Sequence, residues 1–266
     1  MHAPGTSAHK RSDRMVALLA MLSDNGPLPL SHLAEALGAS AATIRRDVAL
    51  LAAQGLLERT HGGARPVKGR ELPVRLRDGR DQDAKRRIAG AVAGLIPTGR
   101  HAIGLTGGTT TAEVVRALHH RDDLTIITNS ISIGLEAAEQ GQARVLIAGG
   151  VLRPRSLELV GSLAESTMKL VNVGTAVVGA DGLSAAGGLT THDEIEARTN
   201  YAMIERADLV IAAVDSTKIG RTTLARMADI TEIDALVTDA GASKDELRRI
   251  RAAGVDVHVV EGPPSR

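Results

Sequence analysis

From Lys85 to Val260 the sequence alternates between helical patterns and short runs rich in Val, Ile, Leu and Ala. Short β-rich runs separated by segments of helical length are typical of βαβ units, in which helices cover a largely parallel sheet. This alternation predicts an α/β domain whose strands lie at Ala102–Leu105, Leu124–Thr128, Arg144–Ala148, Ala176–Gly179, Leu209–Val214, Ala235–Thr238 and Val255–Val260.

The segment before this alternation has a different pattern, three helices followed by a glycine-rich hairpin. Three serines are placed to cap the helices and three glycine-containing stops to end them: Ser12, Ser31 and Ser40, then Asn25-Gly26-Pro27, Gly38 and Gly55. Leu56–Arg59 has the composition of a short strand, and His61-Gly62-Gly63 that of a tight turn. This order of elements predicts a winged helix-turn-helix.

A domain boundary is expected between the two patterns. Residues 65–82 mix Pro and Gly with Arg and Asp and show no sustained period, which is typical of a linker. We therefore expect a flexible tail at 1–10, a winged helix-turn-helix domain at 11–66, a linker at 67–82 and an α/β domain at 83–262.

The composition limits both the core and the ligands. The chain has no Phe, no Trp and one Tyr, so aliphatic side chains and Met must fill the core. Without aromatic rings to stack on bases, RNA and single-stranded DNA are poor candidates as the main ligand. Because the chain has no cysteine, disulfides and thiolate metal sites are excluded.

The sequence shows no sign of a membrane or secretory segment. No run approaches ~18 apolar residues, and the polar residues 1–10 lack the apolar centre of a signal peptide, so a cytoplasmic protein is expected. The net charge is +1, but residues 1–70 hold nine Lys and Arg against five Asp and Glu. This basic part is a candidate for binding a polyanion, although such a surplus also fits an ordinary solvated surface.

The third helix carries the main candidates for DNA contact. Ile44, Val48 and Leu51 recur at helical spacing and would pack on the first two helices, which leaves the opposite face free for the major groove. The candidate DNA-binding residues on this face and on the wing are Ser40, Ala41, Ala42, Thr43, Arg45, Arg46, Arg59, His61 and Arg65. The same pattern also fits a plain helical bundle in which Asp47 pairs with one of the arginines.

Glycine-rich or polar residues follow several predicted strands. A glycine loop that runs into a helix exposes N–H groups to a phosphate, and ligands of an open parallel sheet bind beyond the carboxyl ends of its strands. The candidate effector-binding residues are Gly107, Gly108, Thr109, Thr110, Thr111, Asn129, Ser130, Gly149, Gly150, Asp181 and Lys218. The loop also fits a tight turn with a threonine cap, and Asp215–Lys218 an ordinary turn.

Two sets of motifs closely resemble the DeoR family of bacterial regulators. In the N-terminal part these are Leu33-Ala34, Ser40-x-x-Thr43-Ile44-Arg45-Arg46-Asp47, and Gly55 through His61-Gly62-Gly63-Ala64. In the C-terminal part they include Lys85-x-x-Ile88-Ala89, the loop 107–111, Thr128-Asn129-Ser130, Gly179-Ala180-Asp181-Gly182, Gly188-Leu189-Thr190 with Glu196-Ala197, and Asp215-Ser216-Thr217-Lys218.

The resemblance implies a helix-turn-helix at about residues 28–47 and adds Glu196 to the effector-binding candidates. It also implies a sensor domain similar to ribose-5-phosphate isomerase, with a phosphorylated sugar as effector. The chain departs from the family where Phe is frequent, near Ala176–Val177 and after Lys218, so the identity of the effector is not carried over.

The strongest competing class is a sugar-phosphate isomerase or deaminase, since the family's sensor fold is shared with those enzymes. His192, Asp193, Glu194 and Glu196 lie close enough in sequence to serve in proton transfer. Thr191 and Glu194, however, have the spacing of a helix-capping box, and we expect no catalytic residue. The nine His residues show no HxxxH spacing, and we expect neither metal nor cofactor.

A single winged helix reads few base pairs, so we expect a homo-oligomer on a repeated or palindromic operator in double-stranded DNA. The expected function is a repressor of carbohydrate catabolism whose affinity for DNA is controlled by the effector. Whether the effector releases DNA or promotes its binding is open at this point.

Overall fold

The computed structural model describes residues 11, 14–19, 21–22, 25–67, 73–74, 81–140 and 143–262. The chain divides into two compact units, Met1–Arg80 and Asp81–Arg266, each with its own apolar core. The expected tail at 1–10, the Ser12 cap and most of the expected linker lie outside the described residues.

The N-terminal unit has the order of elements that the sequence predicts. Residues 14–19 and 21–22 are helical, and they precede two helices and a three-stranded antiparallel sheet of strand order β1-β3-β2. The helices are α1 (Leu30–Ala36) and α2 (Ala41–Ala53), and the strands are β1 (Leu28–Pro29), β2 (Leu57–Thr60) and β3 (Gly63–Pro66). Leu18, Leu22, Leu33, Ile44 and Leu51 are fully buried at its centre.

Four of the expected helix boundaries are confirmed, including the stops at Gly26 and Gly38 with φ of 75° and 57°, and one is wrong. Ser40 caps α2, because its Oγ accepts from the backbone N–H of Thr43 at 3.2 Å, and Gly55 follows the helix with a φ of 65°. Ser31 does not cap α1. Pro29, in extended conformation at the end of β1, is the N-cap instead, and Ser31 lies inside the helix.

The C-terminal unit is built on a seven-stranded sheet in which every neighbouring pair is parallel. The strand order is β15-β14-β12-β9-β4-β5-β6. These strands are β4 (His101–Leu105), β5 (Leu124–Thr128), β6 (Arg144–Ile147), β9 (Val173–Val178), β12 (Ala207–Ala213), β14 (Ala235–Asp239) and β15 (Asp256–Val260). All seven predicted strands are confirmed, with ends displaced by up to three residues.

Helices lie between most of these strands, as predicted. They are α3 (Gln82–Leu95), α4 (Thr109–Ala117), α5 (Ile131–Gln140), α6 (Ser162–Lys169), α7 (Glu194–Ile204) and α8 (Lys244–Ala252). Adjacent strand residues point to opposite faces, so Val177 belongs to one buried cluster and Val178 to another. The sheet therefore has an apolar layer on each side, and the fold class is confirmed as a winged helix-turn-helix followed by a mostly parallel α/β domain.

Five short strands of this unit were not predicted. β7 (Val151–Arg153) and β8 (Glu158–Val160) form an antiparallel hairpin, and β10 (Gly182–Ser184), β11 (Gly188–Thr191) and β13 (Ala225–Ala228) form a small antiparallel sheet. Each has only three or four residues, which is too short for a period to be recognised. Among the described helices, none is long and apolar enough to cross a membrane.

Candidate DNA-binding face and effector pocket

The N-terminal part of α2 presents the expected polar face. Ala41, Ala42, Arg45 and Arg46 are exposed, whereas Ile44 is fully buried. Ser40 is also exposed, and its Oγ lies 2.9 Å from Oγ1 of the half-buried Thr43. The helix therefore offers two cations and small side chains on one surface, at the end where the helix dipole attracts a phosphate.

Asp47 does not pair with either of these arginines. Its carboxylate is buried and accepts from Arg14 Nε at 2.7 Å, with Arg11 Nε at 3.6 Å. The partners of Asp47 thus come from the first helical segment. These ion pairs hold that segment against α2. Within the part of the chain that the structure describes, Arg45 and Arg46 form no ion pair and point into solvent.

The wing is the hairpin of β2 and β3. Arg59 and His61 are exposed on it, but Arg65 pairs with Glu58 directly across the two strands. Gly63 lets β1 lie against the wing, because a Cβ there would be 2.5 Å from the carbonyl oxygen of Leu28. Of the three expected wing residues, two are therefore free to approach DNA without breaking an ion pair seen here.

The seven-stranded sheet places a crevice between β4 and β9. From β4 the chain proceeds to β5 and β6 on one side, and from β9 to β12 and β14 on the other, so the strand order reverses between the two strands. Ligands of open α/β sheets bind at such a point, beyond the carboxyl ends of the strands. Thr106 fastens the two strand ends together, because its Oγ1 accepts from the N–H of Gly179 at 3.0 Å.

The glycine loop lies at this crevice. Gly107, Gly108 and Thr109 are half-buried after β4, and Gly108 is the N-cap of α4 with a φ of 139° that favours glycine. Thr111 is fully buried and its hydroxyl donates to the carbonyl of Gly108 at 3.0 Å, so it shapes the loop. The loop thus has the form of an anion site, with backbone N–H groups at the start of a helix.

One N–H of this loop already donates to a side chain of the same protein. Glu158 of β8 is 1% exposed, and its Oε1 accepts from the Gly107 N–H at 2.6 Å and from Asn200 Nδ2 at 3.3 Å. Asn200 Oδ1 in turn accepts from Asn129 Nδ2 at 2.9 Å. Asn129 Oδ1 is buried and has no hydrogen-bond partner among the described residues, which leaves one acceptor of this network available to a ligand.

A second group of polar side chains surrounds Thr191. Its hydroxyl contacts Asp181 Oδ2 at 3.2 Å and Glu196 Oε1. Glu196 also pairs with Arg153 of the β7–β8 hairpin at 2.9 Å, and Asp181 Oδ1 lies 3.9 Å from Lys218 Nζ. Lys218, after β12, therefore reaches the end of β9, the strand next to the loop.

The pKa values of two carboxyl groups at this site, Glu158 and Asp193, are shifted in opposite directions. Burial raises the pKa of Glu158 well above its ordinary value, and the neighbouring carboxylate of Glu196 raises it further. Burial also acts to raise the pKa of Asp193, but hydrogen bonds from the backbone N–H of Glu196 and from Arg153 outweigh it and lower that pKa. Glu158 therefore keeps its proton to a higher pH than an ordinary glutamate.

The structure brings together most of the expected effector residues. Gly107 connects through Glu158 and Asn200 to Asn129, and Glu196 connects through Thr191 to Asp181 and Lys218. Gly149 and Gly150 instead lead from β6 into β7, and a Cβ at Gly150 would lie 2.9 Å from the carbonyl oxygen of Val160. Their contacts are those of the hairpin.

The expectation for the residues before α7 needs a correction. Thr191 is not the N-cap of α7. Asp193 is the cap and accepts from the N–H groups of Ile195 and Glu196 at 3.0 and 2.9 Å. Glu194 is exposed, so it lies outside the buried network.

Sequence reasoning missed Glu158, Asn200 and Arg153. In Leu157-Glu158-Leu159-Val160 the alternation predicts leucines inside and the glutamate outside, but Glu158 and Val160 are the buried pair. The one sequence feature that could have drawn attention to Glu158 is the position of its segment between Gly150 and Gly161. Within the described residues, no group of His, Asp or Glu is arranged to hold a metal ion.

A winged helix-turn-helix with an exposed arginine pair, on one chain with a parallel α/β unit whose strand order reverses beside a glycine loop, defines the class of ligand-responsive transcription regulators. Residues 14–69 match the family model of the DeoR-like helix-turn-helix domain, and residues 80–240 that of the DeoR C-terminal sensor domain. The chain therefore belongs to the DeoR family of transcriptional regulators, as its motifs indicated.

Curated transcriptional regulators match this chain over most of its length. The chain is 36% identical to the HTH-type transcriptional regulator GlpR of Haloferax volcanii, over 92% of this chain and 96% of that one. It is 32% identical to the glycerol-3-phosphate regulon repressor of Escherichia coli K12, over 87% and 92% of the two chains. It is 34% identical to the transcriptional repressor AccR of Agrobacterium fabrum, over 86% and 90%.

Among solved structures, ribose 5-phosphate isomerase A from Methanocaldococcus jannaschii matches with 17% identity and a TM-score of 0.39. The match covers 54% of this chain and 55% of that one. With a score this low, the fold assignment rests on the sheet topology itself.

Proposed function

We propose that this chain is a transcriptional repressor that binds operator DNA as a homo-oligomer and is controlled by a phosphorylated sugar. Residues 11–66 would bind DNA, residues 83–262 would sense the effector, and residues 67–82 would link them. The observation that carries the proposal is the glycine loop 107–111, which opens at the reversal point of a parallel sheet. Relatives whose names include a glycerol-3-phosphate regulon repressor support the same conclusion.

The DNA contacts proposed here rest on exposure and charge. Arg45 and Arg46 would bond guanine edges or phosphates, and Ser40 and Thr43 would meet the backbone, with Ala41 and Ala42 permitting close approach. Arg59 and His61 of the wing would add contacts to the backbone or minor groove. Arg65 would take part only if its pair with Glu58 opens or turns toward the DNA.

The effector contacts proposed here follow the polar network. The N–H groups of Gly107 and Gly108 with the hydroxyls of Thr109 and Thr110 would hold the phosphate, assisted by the cation of Lys218. The sugar hydroxyls would meet the remaining candidates of the pocket, namely Asn129, Ser130, Asp181 and Glu196. Thr111, Gly149 and Gly150 would act through the shape of the loop and the hairpin.

A screen for thermal stabilisation tests the sensor function. A ligand that binds only the native chain raises its melting temperature, so at least one sugar phosphate of three to six carbons should do so at sub-millimolar concentration. The matching unphosphorylated sugars are the control and should have no effect. A panel in which no phosphorylated sugar stabilises the chain would contradict the proposal.

The homo-oligomer is testable by sedimentation of the full chain with and without DNA. One winged helix buries too little surface for useful specificity, so two or more copies should occupy a repeated site. We propose the α/β unit as the oligomerisation unit. A chain that stays monomeric at micromolar concentration on its own operator would contradict this part of the proposal.

A sugar-phosphate isomerase is the second candidate, favoured by one observation. Glu158 and Glu196 are neighbouring carboxyl groups, and burial together with the charge of Glu196 raises the pKa of Glu158, as a general acid in a proton-transfer enzyme requires. We propose that the pair binds rather than reacts, because the relatives that match along the whole chain carry the names of regulators. Turnover of ribose 5-phosphate or of amino-sugar phosphates would favour the enzyme instead.

A further inference from the structure

The phosphate loop of the proposed function is partly occupied by a side chain of the same protein. Glu158 Oε1 accepts from the Gly107 N–H at 2.6 Å, which removes the first donor of the loop. The glutamate also fills the space beside that glycine, because a Cβ at Gly107 would lie 2.6 Å from Glu158 Cγ. A phosphate can use this donor only after the glutamate has left it.

The backbone of Glu158 is fixed on both sides, so its position is part of the fold. The Leu159 N–H donates to the Asn129 carbonyl at 2.7 Å, and the Ile131 N–H donates to the Leu157 carbonyl at 3.0 Å. These bonds hold the hairpin of β7 and β8 against the end of β5. The side chain is therefore the part that must rotate away when an anion enters.

We propose that Glu158 is a specificity-determining residue, an internal competitor that excludes inorganic phosphate from the loop and gives way only to a phosphate ester with a fitting sugar. This inference rests on the proposed function and names the selectivity of that same site. A cell contains abundant inorganic phosphate, and a loop of free N–H groups beside a lysine would bind it without the sugar.

The discrimination follows from what each ligand gains after the glutamate is displaced. Either ligand must displace the Glu158 carboxyl group from the Gly107 N–H, and the free energy of breaking that hydrogen bond is the same for both. Inorganic phosphate then gains contacts only with the N–H groups of the loop and with Lys218. A sugar phosphate also gains hydroxyl contacts with Asp181 and with Asn129, whose Oδ1 has no hydrogen-bond partner in the described part of the chain. The extra contacts supply the free energy that displacement requires.

The test uses inorganic phosphate as the probe and titrates it into the full-length chain by calorimetry. Glu158→Ala frees the donor and should bind phosphate roughly tenfold or more tightly than the wild type, the range expected for one charge-assisted hydrogen bond. Glu158→Gln has nearly the same shape, so it preserves the fold, and its amide oxygen can still accept from the Gly107 N–H, so it should give a smaller gain. Unchanged or weaker phosphate binding in both variants would overturn the inference.

Two controls separate this inference from the proposed function. Glu246→Gln removes one carboxylate of the same unit that is 9% exposed and pairs with the N–H of Ala185, and it should leave phosphate binding unchanged. Lys218→Ala, added to Glu158→Ala, should abolish the gain. A gain that survives this double variant would mean that phosphate binds elsewhere, which would contradict both. If Glu158 variants show no gain while Lys218→Ala still weakens a sugar phosphate, only the inference fails.

Discussion

Lys218 is the residue on which the phosphate assignment most depends. Its ammonium group lies 3.9 Å from Asp181, at the end of the strand next to the glycine loop. Backbone N–H groups carry only partial charge, so a dianionic ester should depend on this full cation. We expect Lys218→Ala to weaken the stabilising sugar phosphate by about tenfold or more in calorimetric titration, with DNA affinity in its absence nearly unchanged.

Lys169→Ala is the matched control for this prediction. Lys169 ends α6 just before β9 begins, at the opposite edge of the sheet from Lys218, and it is exposed. Its removal changes the charge of the chain equally but should leave the dissociation constant as in the wild type. If Lys218→Ala also retains that constant, Lys218 is only a solvated residue after β12.

The raised pKa of Glu158 predicts how the stability of the chain depends on pH. Its pKa is raised above the ordinary value of 4.5, so over the pH range between that value and the raised one the native chain retains a proton that the unfolded chain has lost. The free energy of unfolding should therefore fall as pH rises through this range. Glu158→Gln cannot ionise, so its unfolding free energy, measured by denaturant titration at several pH values, should fall less steeply.

Glu196 lies beside Glu158, and Asp181 and Arg153 are linked to Glu196 through Thr191 and an ion pair. All three are unchanged in the variant, so the difference between the two pH profiles isolates Glu158. Parallel profiles would mean that Glu158 is ionised in the native chain. The sequence did not predict this residue, because its burial depends on a hairpin that brings residue 158 to residue 107. Gly107, Asn129, Asp181 and Lys218 were predictable because parallel strands bring their carboxyl ends to one edge.

At the scale of the element, α2 carries the prediction about DNA. Arg45 and Arg46 are exposed on a helix whose buried Asp47 is paired with Arg14 instead, so their removal should leave the fold intact. Each alanine substitution should reduce operator affinity by about 1–3 kcal/mol if the arginine reads a base. If it binds a phosphate, the loss should be similar on all sequences and the salt dependence should flatten.

Fluorescence anisotropy with a labelled duplex, repeated at several salt concentrations, measures both effects. Arg248→Ala is the control, because Arg248 is an exposed arginine of α8 whose partner Asp245 lies on the same helix. A doubly substituted Arg45→Ala, Arg46→Ala chain that folds and binds its operator normally would show that α2 is not the recognition helix.

Some helices and strands could be predicted from the sequence and others could not. The seven strands of the main sheet and α2 have runs or periods long enough to be recognised, and Ser40 has the cap function that its position predicted. β1 and β13 are defined by pairing with distant segments, as in the registers of Leu28 with Ala64 and of Leu189 with Ala228, whereas β7, β8, β10 and β11 are too short to show a period. Local patterns contain no information about such pairing, so these elements could not be predicted.

At the scale of the whole molecule, we propose that the binding of a sugar phosphate to the α/β unit is coupled to the binding of operator DNA by the same chain. Coupling between two binding sites is reciprocal, so an effector that changes DNA affinity must have its own affinity changed by DNA to the same extent. Lys218→Ala should lose this response to the effector while still binding DNA, since the lysine lies beside Asp181 in the α/β unit and outside the winged helix-turn-helix.

The most direct measurement is the affinity of the full-length chain for a DNA duplex, selected by the protein itself from random sequences, with and without the stabilising sugar phosphate. We expect the sugar phosphate to weaken DNA binding by about 5–150-fold, the usual range of allosteric coupling, as for a repressor released by its effector. Calorimetry should show the same factor for the effector when DNA is present. A DNA affinity that is identical with and without a sugar phosphate that demonstrably binds the chain would contradict the account.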